Sequence, residues 1–290
     1  MKYVKRDIVN FVAKKYDLDT LDICSDAEGL VLSIIGYILN QDTLKLKAEN
    51  YIELSREDMC MLEHYIKQIA IDKIPPQYII GSVPIYNEKY IVTPDVLIPR
   101  QDTETLIEQV IMAINSNDYK NMLDLCTGTG AIGISVAKNS NIQKVTLSDI
   151  SPAAIEIANK NIELNDAMEK CEAIESNLFN NIPQGNLYDI ITANPPYISV
   201  AEYETLSEFV KKEPYIALVA ANSGLDMYIQ IAKKAKEYLT DGGMLAFEIG
   251  YNQAEAVTNI LQDMGCYYNI ITVRDLNQKD RVLLCRFHQK

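Results

Sequence analysis

The chain has 290 residues, a net charge of −13 and a hydrophobic fraction of 48%. These values exclude a disordered or fibrous chain. They also disfavour a protein that grips phosphate backbones, which needs a basic surface. Six cysteines without a CxxC, and only two histidines, His64 and His288, argue against a zinc ribbon or a disulfide scaffold and predict a reduced, cytoplasmic chain with no metal site.

In chain order, residues 1–76 read as a helical domain. Val4, Ile8, Phe11 and Val12 recur at helical spacing, as do Leu30, Ile34, Ile35 and Ile38. The charged N-terminus does not read as a signal peptide, and the apolar run 29–39 is too short to span a bilayer. Ser55 with Asp58 predicts a capped third helix running to about Ile71, which Pro75-Pro76 must stop. No catalytic cluster lies here. His64, on a charged helix, is expected to be solvated.

Residues 77–99 carry β-branched and aromatic residues broken by Gly81, Pro84, Asn87 and Pro94, which predicts a β-hairpin linker turning near Asn87-Glu88. A helix is expected over 103–114. Strand–helix alternation follows. Strands are expected at 122–126, 144–149, 171–176, 189–193, 244–249, 268–273 and 282–287, and helices at 131–139, 152–164, 225–239 and 253–264. The last two strands have no helix between them and should form an antiparallel hairpin. Residues 100–290 therefore read as a doubly wound α/β domain: a seven-stranded Rossmann-like sheet, six strands parallel and one antiparallel. His288, near the end, is expected to fray.

Asp124-Leu-Cys-Thr-Gly-Thr-Gly-Ala-Ile-Gly133 follows an apolar strand and opens a helix. Its glycines satisfy GxGxxG, and Asp149 stands at the end of the next strand, where a carboxylate can accept both hydroxyls of a ribose. This motif does not separate a dinucleotide from S-adenosylmethionine. Asp124, just before the loop, suits a ligand with a cationic amino-acid tail better than a pyrophosphate. Cys126 reads equally well as a small packed residue with no redox task.

A second strand ends in Asn194-Pro195-Pro196-Tyr197. Two prolines freeze this backbone, so the Asn194 carboxamide oxygen and a neighbouring carbonyl can accept both hydrogens of an –NH2 group while Tyr197 packs on a planar group. A planar –NH2 nitrogen is a poor nucleophile because its lone pair is delocalised. A site that methylates it must orient it and stabilise developing positive charge.

These residues resemble the HemK-type protein-(glutamine) methyltransferases, which act on peptide chain release factors. The resemblance covers nearly the whole chain. It runs through Gln77-Tyr-Ile-Ile-Gly81, Val96-Leu-Ile-Pro-Arg-Gln-Asp-Thr-Glu104, Asp124–Gly130, Asp149-Ile-Ser-Pro152, Asn194-Pro-Pro-Tyr-Ile198, Glu213-Pro214, Glu248-Ile-Gly250 and Asp280-Arg-Val282. It implies an N-terminal helical domain that docks the release factor, a hairpin linker and an S-adenosylmethionine-dependent methyltransferase domain. The implied reaction moves a methyl group to the side-chain amide of the Gly-Gly-Gln glutamine of class-1 release factors. The resemblance puts the cofactor on Cys126, Thr127, Gly128, Thr129, Gly130, Asp149, Asn177, Leu178 and Asn194. It puts catalysis on Asn194, Pro195 and Tyr197, with the substrate amide held by Asn194, Pro195, Pro196 and Tyr197. The sequence departs from the family at Cys126 (often Gly), Asn177 (often Asp) and Leu178 (sometimes aromatic).

Arg100 is expected either to close over the cofactor or to salt-bridge the core, and Glu104 to serve as a helix-start carboxylate. A monomer without nucleic-acid or membrane contact is expected. The alternative is an adenine-N6 DNA/RNA methyltransferase, which shares Asn-Pro-Pro-Tyr. It is disfavoured by the acidity and by the lack of a target-recognition domain. A nicotinamide oxidoreductase and a non-catalytic binding module are weaker readings.

Overall fold

The computed structural model describes residues 1–22 and 26–289; Cys24 lies outside the described residues. The chain forms two compact units, Met1–Gly81 with Leu206–Lys212, and Ser82–Thr205 with Glu213–Lys290.

In the first unit the helices Lys5–Tyr16, Ala27–Leu39 and Arg56–Ala70 bury Val12, Leu32, Ile34, Ile35, Leu62 and Ile66 completely. Phe209, from the returning segment, joins this core. The Ser55 hydroxyl accepts the Asp58 N–H while the Asp58 carboxylate accepts the Ser55 N–H, a reciprocal cap at the expected helix start. The all-helical expectation needs one correction. Lys2–Val4 pairs antiparallel with Tyr51–Glu53. Each strand has only three residues, too few for alternation to show in the sequence.

A second correction concerns residues 77–99. Pro76 starts a short helix, Pro76–Ile80, because proline is already set for the first helical position. The hairpin itself is Ser82–Ile85 with Glu88–Ile91, turning at Tyr86-Asn87.

The expected doubly wound sheet is present in the second unit. Its strand order is Tyr267–Arg274, Asp280–Phe287, Leu239–Glu248, Tyr188–Ala193, Asn121–Leu125, Lys144–Asp149, Cys171–Glu175. Only Asp280–Phe287 runs against the rest. Side chains alternate between the faces. Met122, Ile190 and Ala246 pack with the helices Thr103–Asn117, Ala131–Asn139 and Pro152–Leu164. Leu123, Ile191 and Phe247 pack with Asp226–Ala235 and Ala254–Asp263. Gly133 sits where a Cβ would collide with the Leu147 side chain, so its helix lies tight on the sheet. The strand expected at 244–249 begins earlier, at Leu239, and the helix expected at 225–239 ends at Ala235. Between Leu239 and Met244, Asp241-Gly242-Gly243 forms a bulge at which the register shifts, with Gly242 at φ +78°. His288 is not frayed: its N–H reaches the Cys266 carbonyl and its Nδ1 lies 2.9 Å from Asp241 Oδ1. No helix among the described residues is long and apolar enough to cross a membrane.

Candidate active site

Three neighbouring parallel strands, Lys144–Asp149, Asn121–Leu125 and Tyr188–Ala193, end at one crevice, the usual ligand position in such sheets. Their C-terminal extensions carry Asp149, the glycine loop and Asn194. A cavity of about 270 Å³ lies there, lined among others by Cys126, Gly128, Asp149, Asn177, Leu178, Asn194 and Pro196. Thr127, Thr129, Gly130, Pro195 and Tyr197 do not line it. Thr127 and Thr129 are buried and shape the loop from behind.

Asp124 faces no ligand. It has no exposed surface and accepts hydrogen bonds from Thr127 Oγ1 (2.5 Å), Thr192 Oγ1 (2.7 Å) and the Gly133 N–H. Burial pushes its carboxyl up to about 6 against the pull of these donors. The reading of Asp124 as partner to a cationic tail is therefore corrected: it ties the loop to the neighbouring strand. Asp149 does face the crevice. One of its oxygens accepts the Gly128 N–H and the other the Ser151 N–H, each at 2.9 Å. The Ile150 N–H also bears on this carboxylate, so three backbone donors fix it and part of its four-site acceptor capacity is left for a ligand. Burial raises this carboxyl too, opposed by backbone N–H groups.

Cys126 adopts φ +55°, left-handed for a side-chain-bearing residue. That conformation explains why glycine suits the position. Behind the loop, the fully buried Asn161 accepts the Ile91 N–H (2.7 Å) and donates to the Ile91 and Thr129 carbonyls (3.1 and 2.9 Å).

Pro195 is buried, and Tyr197 is half-buried against the core, which raises its hydroxyl pKa. The Tyr197 carbonyl accepts Gln253 Nε2 at 3.0 Å. Ile198 pairs with the 218–220 backbone, donating to Leu218 O and accepting from Ala220 N. Gly224, at φ +82°, lies where any Cβ would run into the Tyr197 carbonyl. Gln253 and Gly224 carried no motif signal, because their contacts cross tens of residues.

The dispersed sequence blocks meet here. Arg100 pairs with the buried Glu213, and the other Glu213 oxygen accepts the Ile98 N–H at 3.0 Å. Asp102 pairs with Arg281 at 3.1 Å. Thr103 Oγ1 donates to Glu248 at 2.6 Å. Glu104 stands in the first turn of its helix, as expected, and also accepts the Tyr86 N–H of the hairpin at 2.8 Å. Of the two readings of Arg100, the salt bridge to the core is the one present.

Among the described residues the crevice lining includes three carboxylates, Asp95, Asp149 and Asp226, and no lysine, arginine or histidine. Such a lining attracts a cationic ligand and repels a pyrophosphate.

Residues 101–216 match the family of the methyltransferase small domain. A release factor glutamine methyltransferase of Fusobacterium nucleatum subsp. nucleatum is 42% identical over 270 residues, covering 93% of this chain and 73% of that one. A release factor glutamine methyltransferase of Clostridium acetobutylicum is 37% identical over 253 residues, covering 87% and 88%. Among solved structures, a methyltransferase from Pyrococcus furiosus shares the fold, with a TM-score of 0.50 and 15% identity over 81% of this chain and all of that one.

Proposed function

The chain belongs to the release factor glutamine methyltransferase family, and from that premise we propose that it methylates the glutamine amide of the Gly-Gly-Gln motif in class-1 release factors. The observation that carries this reading is the position of Asn194: it lines the same acidic crevice as Asp149 and the glycine loop, directly behind a strand end stiffened by Pro195-Pro196.

Asp149 fits the ribose hydroxyls of S-adenosylmethionine with its free acceptor positions, and Asn177 and Leu178 fit the adenine side. Cys126, Thr127, Gly128, Thr129 and Gly130 form the loop beneath. The crevice carboxylates suit a ligand carrying sulfonium and ammonium charges, which a dinucleotide lacks. Bound there, the cofactor supplies an electrophilic methyl group. The chain's own task is to hold the acceptor. Asn194 Oδ1 and a neighbouring backbone carbonyl accept the two amide hydrogens, Pro196 restricts the amide plane, and Pro195 and Tyr197, set behind the lining, hold the segment in place. These preformed acceptors stabilise the positive charge that grows on nitrogen as the N–C bond forms. Asn194 is no base, since a carboxamide does not titrate usefully. The adenine-methyltransferase reading uses the same four residues, but the crevice lining offers no cation to a nucleic-acid phosphate.

We assign the helical unit, Met1–Gly81 with Leu206–Lys212, to docking the release factor, since its described residues form no catalytic cluster and expose Phe11, Tyr37, Leu44 and Tyr51.

The test is single-turnover methyl transfer to a release factor, alongside cofactor binding. Asn194→Ala is expected to slow transfer by about 10²–10³-fold while cofactor affinity changes far less. A near-wild-type rate with cofactor bound would mean that the amide is held elsewhere.

A further inference from the structure

Glu248 is the acidic residue of the Glu248-Ile-Gly250 block, and neither the glycine loop nor the Asn-Pro-Pro-Tyr segment accounts for it. It is 2% exposed, at the C-terminal end of the strand Leu239–Glu248. That strand runs parallel to Tyr188–Ala193 with Ala193 opposite Phe247, so Asn194 and Glu248 are the next pair in register, side by side at the crevice end of the sheet. A buried carboxylate must be supplied with donors. Glu248 accepts the Thr103 hydroxyl at 2.6 Å, and the Asn194 side chain, its neighbour in register, lies close enough to act on the carboxyl.

The second of these contacts has a direction. An ionised carboxylate only accepts, so the end of the Asn194 carboxamide facing it is the nitrogen. The remaining end, Oδ1, is then left for the crevice that Asn194 lines. An asparagine without such a partner could turn its amide over and present a donor, which repels an incoming –NH2 group.

Resting on the proposed role of Asn194, we propose that Glu248 is a positioning residue: it holds the Asn194 carboxamide with Oδ1 toward the crevice, so the site accepts from the target amide. The groups around Glu248 fit this task. Arg281, from the adjacent strand, supplies positive charge that favours the carboxylate, while Asp102 opposes it and is itself paired with Arg281. Tyr228 donates its hydroxyl to the Glu248 carbonyl at 3.1 Å, and Tyr197 lies close enough to feel the charge. Burial is the largest influence on the Glu248 carboxyl and raises its pKa, so acid loosens the hold by protonating it.

The experiment uses the full-length chain, a class-1 release factor and single-turnover transfer. Glu248→Gln keeps the shape but presents an –NH2 group that can face Asn194 Oδ1. It is expected to lower the transfer rate roughly 10–100-fold, with S-adenosylmethionine affinity and the KM for release factor within about threefold of wild type. A Glu248→Gln rate within about threefold of wild type, while Asn194→Ala is slow, overturns the proposal and leaves the role of Asn194 standing. If Glu248→Gln does not melt cooperatively, the decisive quantity is the wild-type to Asn194→Ala rate ratio as pH falls. Asp124 and Asp149 titrate in both proteins and cancel in that ratio. A ratio that falls with acid supports the proposal. A ratio that stays flat as pH falls to 4.5, the ordinary glutamate value, overturns it. Asn194→Ala at the wild-type rate overturns instead the reading on which the proposal rests.

Discussion

Arg100 and Glu213 form an ion pair between residues 113 positions apart, and the Glu213 side chain is only 2% exposed. The pair fastens the extended stretch 96–100, which lines the crevice through Val96 and Leu97, to the segment around Pro214 on its other side.

Removing the acid leaves both the Arg100 guanidinium and the Ile98 N–H without their partner. Glu213→Ala is therefore expected to destabilise the chain by about 2–4 kcal/mol, held below the range for a fully buried pair because Arg100 is partly solvated. Urea unfolding measures this as a lowered midpoint at constant slope. An unchanged midpoint would show that water replaces the pair at no cost.

Asp149→Ala removes the ribose acceptor and also frees the Gly128 and Ser151 N–H groups that shape the loop. Cofactor affinity should fall by roughly 10–150-fold, which corresponds to about 1.5–3 kcal/mol. Titration calorimetry with S-adenosylmethionine reads this directly. Unchanged affinity would remove Asp149 from the cofactor site.

Asp124 gives a pH signature with a definite sign. Its folded-state carboxyl titrates at about 6, above its ordinary value of 3.8. Between these values the folded state holds a proton that the unfolded state has lost, so stability falls as pH rises from about 4 to about 6, by on the order of 3 kcal/mol at this residue. Asp124→Asn does not ionise, and the Thr127 and Thr192 hydroxyls can rotate to accept from its –NH2 group. The variant should lose that slope while the parallel contributions of Asp149 and Glu248 remain. Denaturation midpoints of both proteins across the window are the check, and identical pH profiles would refute the assignment.

Gly224→Ala sets a methyl group against the Tyr197 carbonyl at a left-handed φ. The expected cost is about 1–3 kcal/mol of stability, with transfer slowed more than cofactor binding is weakened, because the displaced backbone belongs to the Asn-Pro-Pro-Tyr segment. A variant with wild-type melting and turnover would show that the loop yields freely.

The docking role of the helical unit has its own measurement. A short peptide containing Gly-Gly-Gln offers nothing to a separate docking surface. Its KM should exceed that of the whole release factor by about 100-fold or more, with kcat much less affected. Equal KM values would refute docking.

The sheet was legible because its strands are buried on both faces and so read as short apolar runs, such as Met122-Leu123 and Ile190-Ile191, set between helical stretches. Asp149 and Asn194 were legible because both sit one step from an apolar strand end. Other features depend on contacts that no local pattern encodes. The Asp241-Gly242-Gly243 segment is a bulge in a strand whose register against Tyr188–Ala193 shifts at this point. Asp124 reads as ligand-facing from its place before the loop because one of the groups that occupies it, the Thr192 hydroxyl, comes from another strand. The link from Glu248 to Thr103 spans 145 residues and leaves no trace in spacing.

Asn161 gives the glycine loop a distant reporter. Its side chain engages both backbone groups of Ile91, as a neighbouring strand would, and with the same amide holds the Thr129 carbonyl inside the loop. The exchange rate of the Ile91 amide proton is thus set by the order of the loop as well as by the hairpin. Ligand that quiets the crevice will slow deuterium uptake at Ile91, outside the crevice lining, and an Asn161→Ala chain will bind while that distant amide stays silent.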